Sequence, residues 1–296
     1  MWRPIGKLLR WMLALLIIVG LGYCALLWQN NRPANPVSKT TIDASYEKGV
    51  GWLLANRELV LRDSNPILWW MVGESARLSG DARLKNLYDE FSSNYQAQFP
   101  QSVWMVFFTP DRFRNANIPP DIYRSYVEYQ QYFLYTITCS QAMAQDPLIV
   151  AQDDPGFCWH GTRVIRPACV THQLMGYRFA QRNDCPFSNL NQNVGVLQNT
   201  LVKQLNFDPR VVDVYIQRVL MLVESGAGDR VKARWMQRVF EAQLADGSWS
   251  DMQPLLSVGG GRSLGFGSAG FVVGEPQGNF HATAQGIWLA ALLRSR

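Results

Sequence analysis

Apolar residues run without a charge from position 11 to 28, then recur at helical spacing through most of the remaining chain. The first run, WMLALLIIVGLGYCALLW, has no polar face at any period. About 18 to 20 such residues cross a hydrocarbon core of about 30 Å as a helix. Trp2, Trp11 and Trp28 stand where an interfacial aromatic belt falls. No small-x-small cleavage site follows, because Arg32 occupies a position that cleavage at Ala34 would need filled by a small residue. Tyr23 before Cys24 does not suit a lipoprotein signal either. The run therefore reads as an uncleaved anchor.

Beyond it, the periodicity predicts helices over 41–57, 66–80, 82–99, 120–145, 168–183, 191–206, 209–225, 230–243 and from 279 to the end. Asn65-Pro66 is a start signal for the second of these, and Asn279 is a plausible N-cap for the last. Residues 103–108 form a buried-looking run of ambiguous type. The stretch 147–167 reads as irregular, and 257–278 as a long glycine-rich loop. Strand-like alternation is nearly absent. The expected class is all-α, a transmembrane helix followed by helical hairpins. The chain divides into an anchor (1–29), a short stalk with Pro33 and Pro36 (30–41) and a helical domain (42–296).

At the exit of the helix over 230–243 stands Gln243-x-x-x-Gly247-x-Trp249. This spacing resembles the repeat motif of α/α-toroid proteins, the terpenoid-cyclase and prenyltransferase-like superfamily. The resemblance implies an α/α toroid or partial toroid, with the glutamine tying down a helix terminus and the tryptophan packing across the turn. An irregular helical bundle is the alternative architecture. A squalene-type cyclase needs an Asp-x-Asp-Asp cluster, and the nearest text, Ala151-Gln-Asp153-Asp154, lacks the leading acid. Cyclase chemistry is disfavoured on that ground.

Charge narrows the partners. The net charge is +5, partly from Arg3, Lys7 and Arg10, and the rest is scattered without a basic block or helix face. That argues against a nucleic-acid partner. The same three residues and the amino terminus precede the span, against Arg32 and Lys39 after it. The bias predicts a single-pass protein of the cell (inner) membrane with a cytoplasmic N-terminus. Its main domain then lies outside the cytoplasm, in the periplasm of a Gram-negative cell.

Chemistry-bearing residues cluster in two places. Cys139, Cys158, Cys169 and Cys185 interleave with His160 and His172. An even number of cysteines in an exported domain points to disulfides. Of the three connectivities, Cys158–Cys169 is the easiest to picture, since both lie at the entrance of one helix, and Cys139–Cys185 would complete that set. Free thiols are a second possibility. A third is zinc, from the half-sites Cys158-x-His160 and Cys169-x-x-His172, although no cofactor is otherwise expected. The spacing of the zinc-binding prenyltransferases is not reproduced. His172 falls on an apolar helix stripe with Cys169, Gly176 and Phe179.

His281, in the first turn of the last helix, is the stronger candidate base, since a helix start keeps an imidazole neutral. Asp246, Asp251 or Glu275 could orient it. The loop over 257–278 lacks the Gly-Lys-Ser/Thr of a phosphate-binding loop and suits a flap. Two functions remain open. The first is a binding or scaffold module of the cell envelope, with an envelope protein or a glycan as partner. The second is a glycan-acting hydrolase or lyase with a central-cavity site around His281, His172, Asp246 and Asp251.

Overall fold

The computed structural model describes residues 3–268 and 270–296, with side chains from Leu9 onward. Trp2 and the side chains of Arg3 and Lys7 lie outside the described residues. The long helices are α1 (Arg3–Asn31), α2 (Lys39–Ala55), α3 (Pro66–Ser79), α4 (Ala82–Gln98), α5 (Glu128–Thr138), α6 (Cys169–Arg182), α7 (Leu190–Phe207), α8 (Asp213–Glu224), α9 (Ala233–Glu241) and α10 (Phe280–Arg294). Local chemistry sets many of their ends. The Asn65 side chain caps α3 by accepting from the Ile67 N–H, and Gly80 closes it in the left-handed conformation. Asn279 caps α10 by accepting from the Ala282 N–H.

Helix α10 is buried almost all round from Ala282 to Ala291 and packs against α2, α3 and α8. Contacts then pass from α8 to α6, from α6 to α5, and through the 3-10 turn Val103–Phe107 back to α3, closing a ring. Burial follows this order. Helix α8 is buried on every side from Val214 to Glu224, and α5 from Gln131 to Thr138. By contrast α4 buries one stripe (Leu84, Leu87, Phe91, Tyr95), as does α7 (Val194, Leu197, Leu201, Leu205). All-round apolar helices belong inside, and one-striped helices outside them.

The ring is filled, not hollow, at mid-height. Trp70 of α3 packs edge-on to Phe179 of α6 at 4.8 Å and to Trp288 of α10 at 5.1 Å. Phe107 and Phe133 complete the cluster, each within 6 Å of Phe179. The ring helices run the same way. First-turn residues meet at one end, as with Tyr129 and His172. At the other end Glu224 of α8 accepts from Arg178 and Arg182 of α6.

Gln243, Gly247 and Trp249 serve the packing. The Gln243 amide donates to the carbonyls of Ser45 and Gly247, both at 2.8 Å. Gly247 has φ +94°, and a Cβ there would lie 2.4 Å from the Lys48 carbonyl oxygen. Trp249 is fully buried and its Nε1 donates to the Val239 carbonyl.

Three expectations are corrected. The glycine-rich loop is a three-stranded antiparallel sheet, β1 (Gln253–Gly259), β2 (Arg262–Gly267) and β3 (Gly270–Gly274), so the domain is mostly helical and not all-α. Gly259, Gly260 and Gly261 turn the first hairpin, all with positive φ. The single helix expected over 120–145 is broken into Pro120–Tyr123, α5 and a 3-10 turn, because Cys139 ends α5 at φ +53°. Finally, the stalk is shorter than expected, with 32–38 alone outside helices. Helix α1 continues to Asn31, Asn30 is fully buried, and α2 already begins at Lys39.

Both cysteine pairs are disulfides, Cys139–Cys185 and Cys158–Cys169. They close separations of 46 and 11 residues, and the longer one restricts the unfolded chain more. Among the described residues α1 is the one helix long and apolar enough to cross a membrane, over Leu9–Asn31. Its side chains from Trp11 to Leu21 are almost all exposed.

Candidate functional site

The N-terminal ends of the ring helices gather His172 of α6, His281 of α10, Asp213 of α8 and Tyr129 of α5. Each sits in the first turn of its helix. His172 stacks on the Tyr129 ring with centroids 4.1 Å apart and 17° between planes, and Phe133 meets it edge-on. Among the described residues neither of its ring nitrogens has a hydrogen-bond partner. The His172 side chain lines a cleft of about 720 Å³, together with Tyr129, Gln173, Arg166, Arg210 and Ser268.

Burial pushes the His172 imidazole down from its ordinary 6.5 to about 3, and the neighbouring His281 adds to the shift. It is therefore neutral at pH 7, presenting one N–H donor and one lone pair to the cleft. The unfolded chain takes up this proton near pH 6.5, whereas the native state resists it down to about pH 3. Stability is thus complete above that window and falls as the pH drops into it. Acidification from pH 7 to pH 5 is expected to lower the urea midpoint, and His172→Gln to flatten that dependence. An unchanged slope in the variant would show that His172 is solvated.

His281 is placed differently. Its Nε2 lies 2.8 Å from the side-chain amide of Gln285, one turn on in the same helix, which occupies that nitrogen. Its Nδ1 lies 3.6 Å from Asp213 Oδ2. Burial lowers its pKa, opposed by Asp213 and then by Asp63 and Asp251. Asp213 Oδ1 in turn accepts from Ser268 Oγ at 2.5 Å. Ser268 follows β2, so this bond fastens the sheet over the helix ends, and Ser268 joins the Asp213–His281 pair to the cleft wall.

The carboxylates expected beside His281 fare unequally. Both Asp246 oxygens are occupied, by the Ser248 N–H and hydroxyl and by Trp52 Nε1. Burial would raise its pKa, but these hydrogen bonds outweigh it and hold the group ionised. Asp246 stabilises the Gln243–Trp249 turn. Asp251 is exposed and acts on His281 only through its charge. Glu275 is exposed, beside Gly261 at the hairpin turn. Asp213 and Tyr129 carry no local signal. They reach the site only because α5 and α8 start at the same end of the ring.

The cysteine–histidine half-sites are not assembled for a metal. Their sulfurs are joined to one another, and His160 is exposed. Among the described residues no three His, Cys, Asp or Glu side chains converge as metal ligands. The cations at the cleft are already paired. Arg166 meets Glu128 at 2.9 Å and Arg210 meets Asp208 at 2.7 Å. Apolar surface from Val127, Phe157, Ile165 and Pro167 makes up the remaining wall. With neutral histidine and paired charges, the cleft suits an uncharged or weakly polar group. No protein-family model matches this chain, and no curated protein or solved structure matches it either.

Proposed function

We propose that this is a membrane-anchored, extracytoplasmic binding module of the cell envelope, built as a partial α/α toroid. The cleft at the N-terminal ends of its ring helices takes the ligand. The observation that carries this reading is the cleft of about 720 Å³ with paired cations and an unpartnered, neutral His172 in its wall. The toroid reading is supported by the ring of co-directional helices with one-striped helices outside it. It is also supported by the role of Gln243 and Trp249 at the helix exit. Extracytoplasmic placement is supported by two disulfides, which persist in oxidising compartments. A reporter active only in the cytoplasm, fused after Arg296, is expected to stay silent.

A second reading, a glycan-acting hydrolase or lyase, is favoured by one observation, the apposition of neutral His281 and Asp213 beside the cleft. Complementation of a strain lacking the protein separates the two. Ala168→Trp, which fills the cleft, is expected to abolish function in both readings while leaving the thermal midpoint unchanged. His281→Gln is expected to preserve function in a binding module and to abolish it in an enzyme that uses the imidazole. Full function in Ala168→Trp would remove the cleft from consideration.

A further inference from the structure

The three-stranded sheet carries an apolar surface that nothing among the described residues covers. Leu255, Leu256 and Val258 on β1 are exposed, as are Phe271 and Val273 on one face of β3 and Val272 on the other, with Phe271 at 71% and Leu256 at 63%. The register sets Leu256, Leu264 and Val273 in one row across all three strands. Between Gln253 and Gly274 the one charged residue is Arg262, at the hairpin turn. Monomeric soluble surfaces rarely present such a patch without a partner.

Its position beside α1 identifies the partner. Phe266 of β2 is buried against Val212 and Val214, and Leu26 of α1 packs on the same cluster. On α7, the Phe207 carbonyl accepts from Tyr23 Oη of α1 at 2.7 Å, while the Phe207 ring is 66% exposed. These contacts create a length problem for α1. A hydrocarbon core of about 30 Å needs about 20 helical residues. Counted from Trp11, that many residues reach Asn30, which is buried in the domain. Yet the domain already touches α1 at Tyr23, and residues 11–22 measure only about 18 Å along the helix axis. The edge of the domain that meets Tyr23 and Leu26 therefore lies about 10 Å below the level of Asn30, within the bilayer surface.

We propose that the sheet and Phe207 form a second membrane contact, seated in the leaflet on the domain's side next to α1. The apolar side chains of β1 and β3 enter the acyl boundary. The free backbone groups of the two edge strands stay in the headgroup layer, where water and lipid esters satisfy them. Seating the sheet fixes the domain's tilt and holds the Ser268 rim of the cleft close to the lipid. The proposal rests on α1 being a membrane anchor.

The test uses the full chain with Cys24→Ser in phosphatidylcholine nanodiscs, spin-labelled at one introduced thiol at a time. The four domain cysteines are disulfide-bonded and do not react. Leu256→Cys and Val273→Cys probe two strands separately. Ile17→Cys reports on α1, and the exposed Glu58→Cys on water. Accessibility to oxygen relative to a water-soluble nickel chelate is expected to be about tenfold higher at both sheet sites than at Glu58, close to the value at Ile17. Nickel access equal to that at Glu58, with Ile17 still lipid-like, overturns the membrane contact alone. Exclusion of both reagents overturns it too, since that marks a covering protein or a second copy. A water-like Ile17 overturns the anchor and this proposal together.

Discussion

Asn30→Ala is expected to lower the unfolding free energy of the domain by about 3 to 5 kcal/mol. Asn30 ends the apolar helix yet is fully buried. Its Oδ1 accepts from Tyr215 Oη at 2.9 Å and from Arg238 Nη1 at 2.5 Å, and its Nδ2 donates to the Leu205 carbonyl at 2.7 Å. Arg238 is itself buried, with no carboxylate partner among the described residues and the Pro209 carbonyl as its other acceptor. Removing Asn30 leaves a buried cation with the Pro209 carbonyl alone and takes their partner from a buried phenol and a backbone carbonyl. Asn30→Asp, which keeps the acceptor for Arg238, should lose less. Urea unfolding of the detergent-solubilised protein, followed by tryptophan fluorescence, measures both. A loss below about 1 kcal/mol for alanine would mean that water replaces the side chain at no net cost. The same bonds bear on processing, because cleavage before Asn30 would remove the helical turns that carry Tyr23 and Leu26.

Trp249→Ala is expected to cost a similar amount, about 3 to 5 kcal/mol, through a cavity. The indole is fully enclosed between α2, α9 and α10. A Cβ on Gly49 would lie 3.1 Å from its ring, and one on Gly286 2.6 Å. The surrounding backbones approach too closely for the site to collapse onto alanine. Its Nε1–H bond to Val239 is lost as well, leaving that carbonyl unpaired. Trp249→Phe should cost less, since it keeps much of the volume. Gly286→Ala, which overpacks the same ring, should cost about 1 to 3 kcal/mol. A near-neutral Trp249→Ala would mean that the turn is held by Gln243 alone.

The elements that sequence placed well are those ended by their own neighbours. Asn65, Pro66 and Gly80 bracket α3, Asn279 opens α10, and the charge-free run 11–28 lies within α1. Capping, proline geometry and glycine's left-handed backbone act over a few residues, so they are legible locally. The sheet was not. Seven glycines between 259 and 274 interrupt the alternation of Leu, Val and Phe, and two irregularities in the β1–β2 register break the period of two further. The break at Cys139 is non-local, since its left-handed turn brings the sulfur to Cys185, 46 residues on.

Sequence by itself determined the apolar helix and the helical class of most of the domain, and it pointed to disulfides whose pairing the structure then set. It also marked His172 and His281, without showing what surrounds either ring. Gln285, one turn on in the same helix, meets His281 Nε2 at 2.8 Å, whereas tertiary structure set Asp213 beside the other His281 nitrogen and, among the described residues, left the nitrogens of His172 without a partner at the cleft. The reason is geometric. Whether an imidazole is free depends on what the adjoining helices place beside it, here Tyr129 from α5 and Asp213 from α8. Those neighbours are set by packing around the aromatic centre of the ring, over separations that no spacing along the chain encodes.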